Sequence, residues 1–134
     1  MSSDARHLRF LVVDDNEDIR DVFCRLIERA GHDAATAVDG QDAVDTLQAE
    51  TFDVMLLDLT MPRMSGVEVV RWLRANPEVA PDLRIVVISA WAGELRAVLQ
   101  ELGIVTVMQK PLRIQQLTDL IAETLRDMES GTHP

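Results

Sequence analysis

The chain has 134 residues with 13 Lys and Arg against 23 Asp and Glu, a formal charge of −10, which fits one ordinary domain and little more. A hydrophobic share of 47% is enough to fill a core and excludes global disorder. The acid excess argues against nucleic acid and anionic membrane as partners, and the lone Cys24 excludes an internal disulfide and a cysteine-based zinc cage.

Taken in chain order, strands and helices alternate. Phe10 to Val13 is a short apolar run, and Ile19, Val22, Phe23, Leu26, Ile27 and Ala30 then recur at helical spacing up to Gly31, a natural stop. Asp33 to Val38 is an alanine-rich, weaker strand suited to a sheet edge, and Ala43, Val44 and Leu47 mark a short helix. Val54 to Leu57 is the next strand. Val67, Val70 and Leu73, with Trp72 nearby, mark a helix that ends before Asn76-Pro77. Ile85 to Ile88 precedes the pattern Leu95, Val98, Leu99 and Leu102, which stops at Gly103. Val105 to Met108 precedes the clearest stripe, Ile114, Leu117, Leu120, Ile121, Leu125 and Met128.

Short runs rich in Val, Ile, Leu and Met suit strands buried on both faces, as in a parallel sheet. They are far too short to cross a bilayer. Five βα units with right-handed crossovers predict an open α/β sheet with helices on both faces. The domain is expected over 8–128, with 1–7 and 129–134 as loose ends. No secretory leader pattern precedes Asp14, so a cytoplasmic protein is expected.

In such sheets the functional crevice lies at the carboxyl ends of the strands. The first strand ends in Asp14-Asp15, the third in Asp58, the fourth in Ser89 and the fifth in Lys110-Pro111. Two like charges about 4 Å apart repel by roughly 4 kcal/mol at an effective dielectric near 20. A hard divalent cation relieves that conflict, and an all-oxygen cluster suits Mg²⁺. One carboxylate can then attack phosphorus to give an aspartyl phosphate. Lys110 would neutralise phosphoryl charge, and Ser89 could donate a hydrogen bond.

Leu11-Val12-Val13-Asp14-Asp15, Asp58-Leu59-Thr60-Met61-Pro62-Arg63-Met64-Ser65-Gly66, Ile88-Ser89-Ala90 and Lys110-Pro111 together resemble the receiver domain of two-component response regulators, over nearly the whole chain. The resemblance implies a flavodoxin-like (βα)5 three-layer sandwich with a parallel sheet of order 2-1-3-4-5. It implies Asp58 as the phosphoacceptor, fed by a sensor histidine kinase or a histidine phosphotransfer protein. It implies Asp15 as a direct Mg²⁺ ligand, Asp14 as a partner in holding the ion, and the Thr60 backbone carbonyl as the remaining protein ligand besides Asp58. It further implies Lys110 paired with the phosphoryl group, Ser89 moving towards it, and a cis peptide at Lys110-Pro111. Only a short tail follows Met128 in this sequence, so no effector module is expected, and output is expected through protein contacts on the face of helix four, strand five and helix five.

Simpler roles compete at each position. Asp14-Asp15 could cap the following helix, Asp58 could be a turn residue, and Lys110-Pro111 a plain turn. Gly66 suits close packing, Cys24 an inert helix flank, and Trp72 and the methionines packing.

Two positions depart from the family pattern. Val107 stands where many receivers carry Tyr or Phe, and the chain has no tyrosine, so a smaller rearrangement of the fourth and fifth units is expected. Trp91, two residues after Ser89, is bulky; its ring would either restrict water and prolong the aspartyl phosphate or pack elsewhere.

Apart from catalysing its own phosphorylation and dephosphorylation, the protein is not expected to be an enzyme. A phosphorelay intermediate, a phosphate sink or a phosphate-independent binding module are the alternatives. A flavin or nucleotide site fails because the first loop, Asp14-Asp15-Asn16-Glu17-Asp18, is acidic where a phosphate cradle needs glycines or hydroxyls. A phosphohydrolase would need a cap insertion for which no loop is long enough.

Overall fold

The apolar runs form one parallel sheet in a computed structural model that describes residues 7–61 and 63–129. Its strands are β1 (Arg9–Val13), β2 (Asp33–Ala37), β3 (Val54–Asp58), β4 (Arg84–Ser89) and β5 (Thr106–Gln109). They alternate with helices α1 (Glu17–Arg29), α2 (Gly40–Ala49), α3 (Gly66–Ala75), α4 (Arg96–Glu101) and α5 (Ile114–Glu129). The strand order is β2-β1-β3-β4-β5, the flavodoxin-like arrangement that the resemblance implies.

Side chains alternate across a strand, and this sorts the core into two layers. Phe10 and Val12 of β1 join Val54, Leu56, Val86 and Ile88 against Ile27 of α1 and Leu117, Leu120 and Ile121 of α5. Leu11 and Val13 join Met55, Leu57 and Val87 against α2, α3 and Leu99 of α4. Both faces of β1 and β3 are thus covered, which is why these strands read as unbroken apolar runs. Trp72 and Val107 pack at the margin of the second layer.

Three expectations need correction. The fifth strand begins at Thr106, not Val105, which is 87% exposed. It is also only half-buried, because it is the edge of the sheet and lacks a covering neighbour on one side. The fourth helix is shorter than its apolar stripe: Leu95 takes the N-cap position without an accepting side chain, and Leu102 lies beyond its last turn. Of the expected loose ends, His7 and Glu129 fall within the described residues. His7 Nε2 lies 3.0 Å from Asp33 Oδ2, and Glu129 closes α5; the others lie outside. Among the described residues no helix is long and apolar enough to cross a membrane.

Candidate phosphoacceptor site

The parallel register brings the strand ends to one rim. Asp58 pairs with Ile88 and Ser89 with Gln109, so β3, β4 and β5 deliver Asp58, Ser89 and then Lys110 side by side. Asp14 follows β1 and extends its pairing, its N–H donating to Ala37 O at 3.2 Å. Asp14, Asp58 and Ser89 are buried, whereas Asp15 is exposed. One carboxylate oxygen from each of Asp14, Asp15 and Asp58 lies within 4.8 Å of the others.

Backbone and side-chain bonds fix these groups. The Asn16 N–H donates to Asp14 Oδ1 at 2.9 Å, and Arg20 Nη1 donates to the Asp14 backbone carbonyl at 2.7 Å. Asn16, rather than either aspartate, caps α1 by accepting from the Ile19 N–H, which removes the capping role considered for Asp14-Asp15. Lys110 N–H donates to Ser89 O at 3.0 Å, and its Nζ reaches Asp14 Oδ2 at 2.9 Å and Asp58 Oδ1 at 3.4 Å. The Lys110-Pro111 peptide is cis, as the resemblance implies. Ser89 Oγ accepts from the Trp91 N–H at 3.0 Å, and Trp91 as a residue is 54% exposed.

The electrostatics are unbalanced. Burial first, and then the neighbouring Asp14 charge, push the Asp58 carboxyl above its usual range, with Lys110 opposing them. For Lys110 burial works against the charged form, but the hydrogen bond to Asp14 and the charge of Asp58 prevail and raise it. One ammonium thus touches two of the three carboxylates, Asp14 and Asp58. The donor set is all oxygen, and its surplus negative charge fits a hard divalent cation of the Mg²⁺ kind. Thr60 stands next to this cluster, its N–H facing Asp58 Oδ1 at 3.4 Å.

Leu59 and Gly66 flank the passage from β3 into α3. Gly66 N–H donates to Leu59 O at 3.0 Å, and a Cβ on Gly66 would come within 2.5 Å of the Asp58 carbonyl oxygen, so this glycine serves close approach. Ser65 and Glu68 form a capping box that starts α3.

Sequence reasoning missed Asn16, Arg20, Asp39 and Arg63. Asn16 and Asp39 each carry an ordinary helix-start signal. Arg20 and Arg63 carry none, since their partners are set by the folded loops. Cys24 is half-buried, and burial pushes its thiol up, in keeping with an inert side chain.

A family model described as the response regulator receiver domain matches residues 10–122. The chain is similar to the alkaline phosphatase synthesis transcriptional regulatory protein PhoP of Bacillus subtilis, at 34% identity over 90% of this chain and 50% of that protein. It is similar to sporulation initiation phosphotransferase F of the same organism, at 29% identity over 87% of this chain and 93% of that protein. Against PhoP and a receiver protein of Anaeromyxobacter, the chain spans about half the relative's length. Among solved structures, the response regulator TrrA of Thermotoga maritima in complex with Mg(2+)-BeF superposes with a TM-score of 0.75 at 26% identity, over 87% of this chain and 98% of that one.

Proposed function

The chain belongs to the response regulator receiver family, and from that premise we propose that it accepts a phosphoryl group on Asp58 from a phosphohistidine and signals through contacts that depend on phosphorylation. The donor is a sensor histidine kinase or a histidine phosphotransfer protein. The observation that carries this reading is the Lys110 ammonium, held 2.9 Å from Asp14 and 3.4 Å from Asp58 at a rim crowded with carboxylates.

A carboxylate oxygen of Asp58 forms the new bond to phosphorus while the phosphorus–nitrogen bond of the donor breaks. The bonding pair returns to the donor ring nitrogen, which takes a proton. Lys110 Nζ gives up its contact with Asp58 Oδ1 and pairs with a phosphoryl oxygen. Ser89 Oγ accepts from Trp91, which leaves its own hydrogen to donate to another phosphoryl oxygen. Asp14, Asp15, Asp58 and the Thr60 backbone carbonyl would hold Mg²⁺, whose positive charge would let the carboxylates coexist and offset phosphoryl charge.

Output passes through the face of α4, β5 and α5, where Val105 and Ile114 are exposed apolar residues and Trp91 stands just ahead. Phosphorylation favours an arrangement that binds a partner protein better. A relay role is the second reading, favoured by the relative of similar length that is named a phosphotransferase.

The test is intact mass after incubation with Mg²⁺ and acetyl phosphate, beside Asp58→Asn. One added phosphoryl group that needs both Mg²⁺ and Asp58 is the expected result. The same adduct on Asp58→Asn overturns the assignment. So does the absence of both an adduct and a fluoroberyllate complex, which would leave a phosphate-independent binding module.

A further inference from the structure

The loop between β3 and α3 is pinned from outside the acidic cluster. Arg63 lies within it with φ of 67°, a left-handed conformation that an L side chain adopts only at a cost. Its guanidinium makes a two-pronged contact with Asp39, Nε to Oδ2 at 2.6 Å and Nη2 to Oδ1 at 3.0 Å. Such forked pairs fix geometry as well as charge. Asp39 is a rigid anchor: it is buried, and its Oδ1 also accepts from the Asp42 N–H as the N-cap of α2. The Arg63 contact holds the Asp39 carboxyl below its usual range.

A second contact acts on the next residue. A Cβ on Gly40, the first residue of α2, would collide with the Met64 backbone carbonyl, so the loop rests directly on the start of α2. Its two ends are tied by the Gly66 N–H to Leu59 O. Thr60 lies between those ties, two residues beyond Asp58 and three before Arg63.

We propose that Asp39 and Arg63 are positioning residues for the Asp58 site. Their fork pins Arg63 to the start of α2, three residues from Thr60, and through that tether the pair sets the affinity of the site for a divalent cation that the Thr60 backbone carbonyl would help to hold. The proposal rests on the reading of Asp58 as a Mg²⁺-assisted phosphoacceptor.

Calorimetric titration of Mg²⁺ into the metal-free protein separates geometry from charge. Asp39→Asn keeps a capping oxygen for α2 and loses the ionic fork; Arg63→Gln loses it from the other side. If only long-range charge mattered, removing the anion would weaken Mg²⁺ binding and removing the cation would tighten it. The fork requires both variants to bind about tenfold more weakly, the scale seen when outer groups that orient ligands are lost. Arg63→Lys keeps the charge but cannot reproduce the planar fork, so it should weaken binding as well.

Urea unfolding in EDTA accompanies each titration. An Arg63→Gln protein that binds Mg²⁺ as tightly as wild type, or more tightly, overturns the proposal. So does a loss of affinity that merely tracks a loss of stability in EDTA. Folded wild-type protein that takes up no Mg²⁺ overturns the site reading itself and the proposal with it. That result is distinct from wild-type binding with unaltered variants.

Discussion

Lys110 Nζ sits closer to Asp14, at 2.9 Å, than to Asp58, at 3.4 Å. On the proposed reading, a divalent cation would compete with the ammonium for the same Asp14 carboxylate, while both would favour the charged form of Asp58. Lys110→Ala should bind Mg²⁺ more tightly than wild type because one competitor is gone. The same variant should take up phosphoryl from acetyl phosphate about a hundredfold more slowly, the usual scale for losing one donor to a developing anion. Calorimetry and a time course of intact mass read the two effects, and opposite signs are the signature.

Asp58 is costly to keep charged. Its carboxyl is raised by burial and by Asp14, so the folded state holds a proton there more readily than the unfolded chain does. The sign follows from linkage: in metal-free buffer this group costs nothing below the ordinary carboxylate range, and the cost grows as pH rises through the raised value. Asp58→Asn should therefore unfold later than wild type in EDTA at neutral pH, by roughly 3 °C. Added Mg²⁺ should stabilise the wild type more than the variant. Calorimetric scans with and without Mg²⁺ check both statements.

His32 gives the opposite slope. It is buried, and its Nδ1 accepts the Leu8 N–H at 3.1 Å, tying the start of β1 to the turn after α1. Burial first, and then neighbouring His7, lower its pKa below the ordinary value of 6.5. The unfolded chain thus binds the proton first, and stability is lost as pH falls below 6.5. Protonation also removes the acceptor for Leu8, a hydrogen bond worth about 1 kcal/mol. His32→Asn keeps an acceptor near Nδ1 and cannot titrate, so its urea midpoint should change less between neutrality and about pH 5.

Trp91 is anchored beside the site by its backbone bond to Ser89 Oγ, and the residue is about half exposed. Trp91→Ala is expected to shorten the aspartyl-phosphate lifetime severalfold by admitting water. Loss of the mass adduct after removal of the phosphodonor measures it, and an unchanged rate would make the ring irrelevant to hydrolysis.

What could be read in the chain depended on how directly local pattern reports burial. β1 and β3 are covered on both faces, so Phe10 to Val13 and Val54 to Leu57 gave themselves away. β5 is an edge, and the apolar pattern starts one residue ahead of it because Val105 is apolar yet exposed. The α4 stripe overran the helix because spacing says nothing about the cap that Leu95 cannot provide. Asp14, Asp15, Asp58, Ser89 and Lys110 stood out by their places at strand ends, which a parallel sheet turns into neighbours. The Asp39–Arg63 fork joins a helix cap to a loop 24 residues away, and no periodicity encodes such a pair.

The sheet order has a consequence for when the chain becomes chemically competent. Lys110 meets Asp14 across 96 residues of sequence, because β1 lies inside the sheet and β5 at its far edge. A growing chain that has made β1, α1 and β3 already holds its acidic residues but lacks the cation that steadies them. Contacts of such long separation form late. On the proposed reading, a chain that has not yet made β5 lacks the Lys110 ammonium that follows it and could not take up a phosphoryl group.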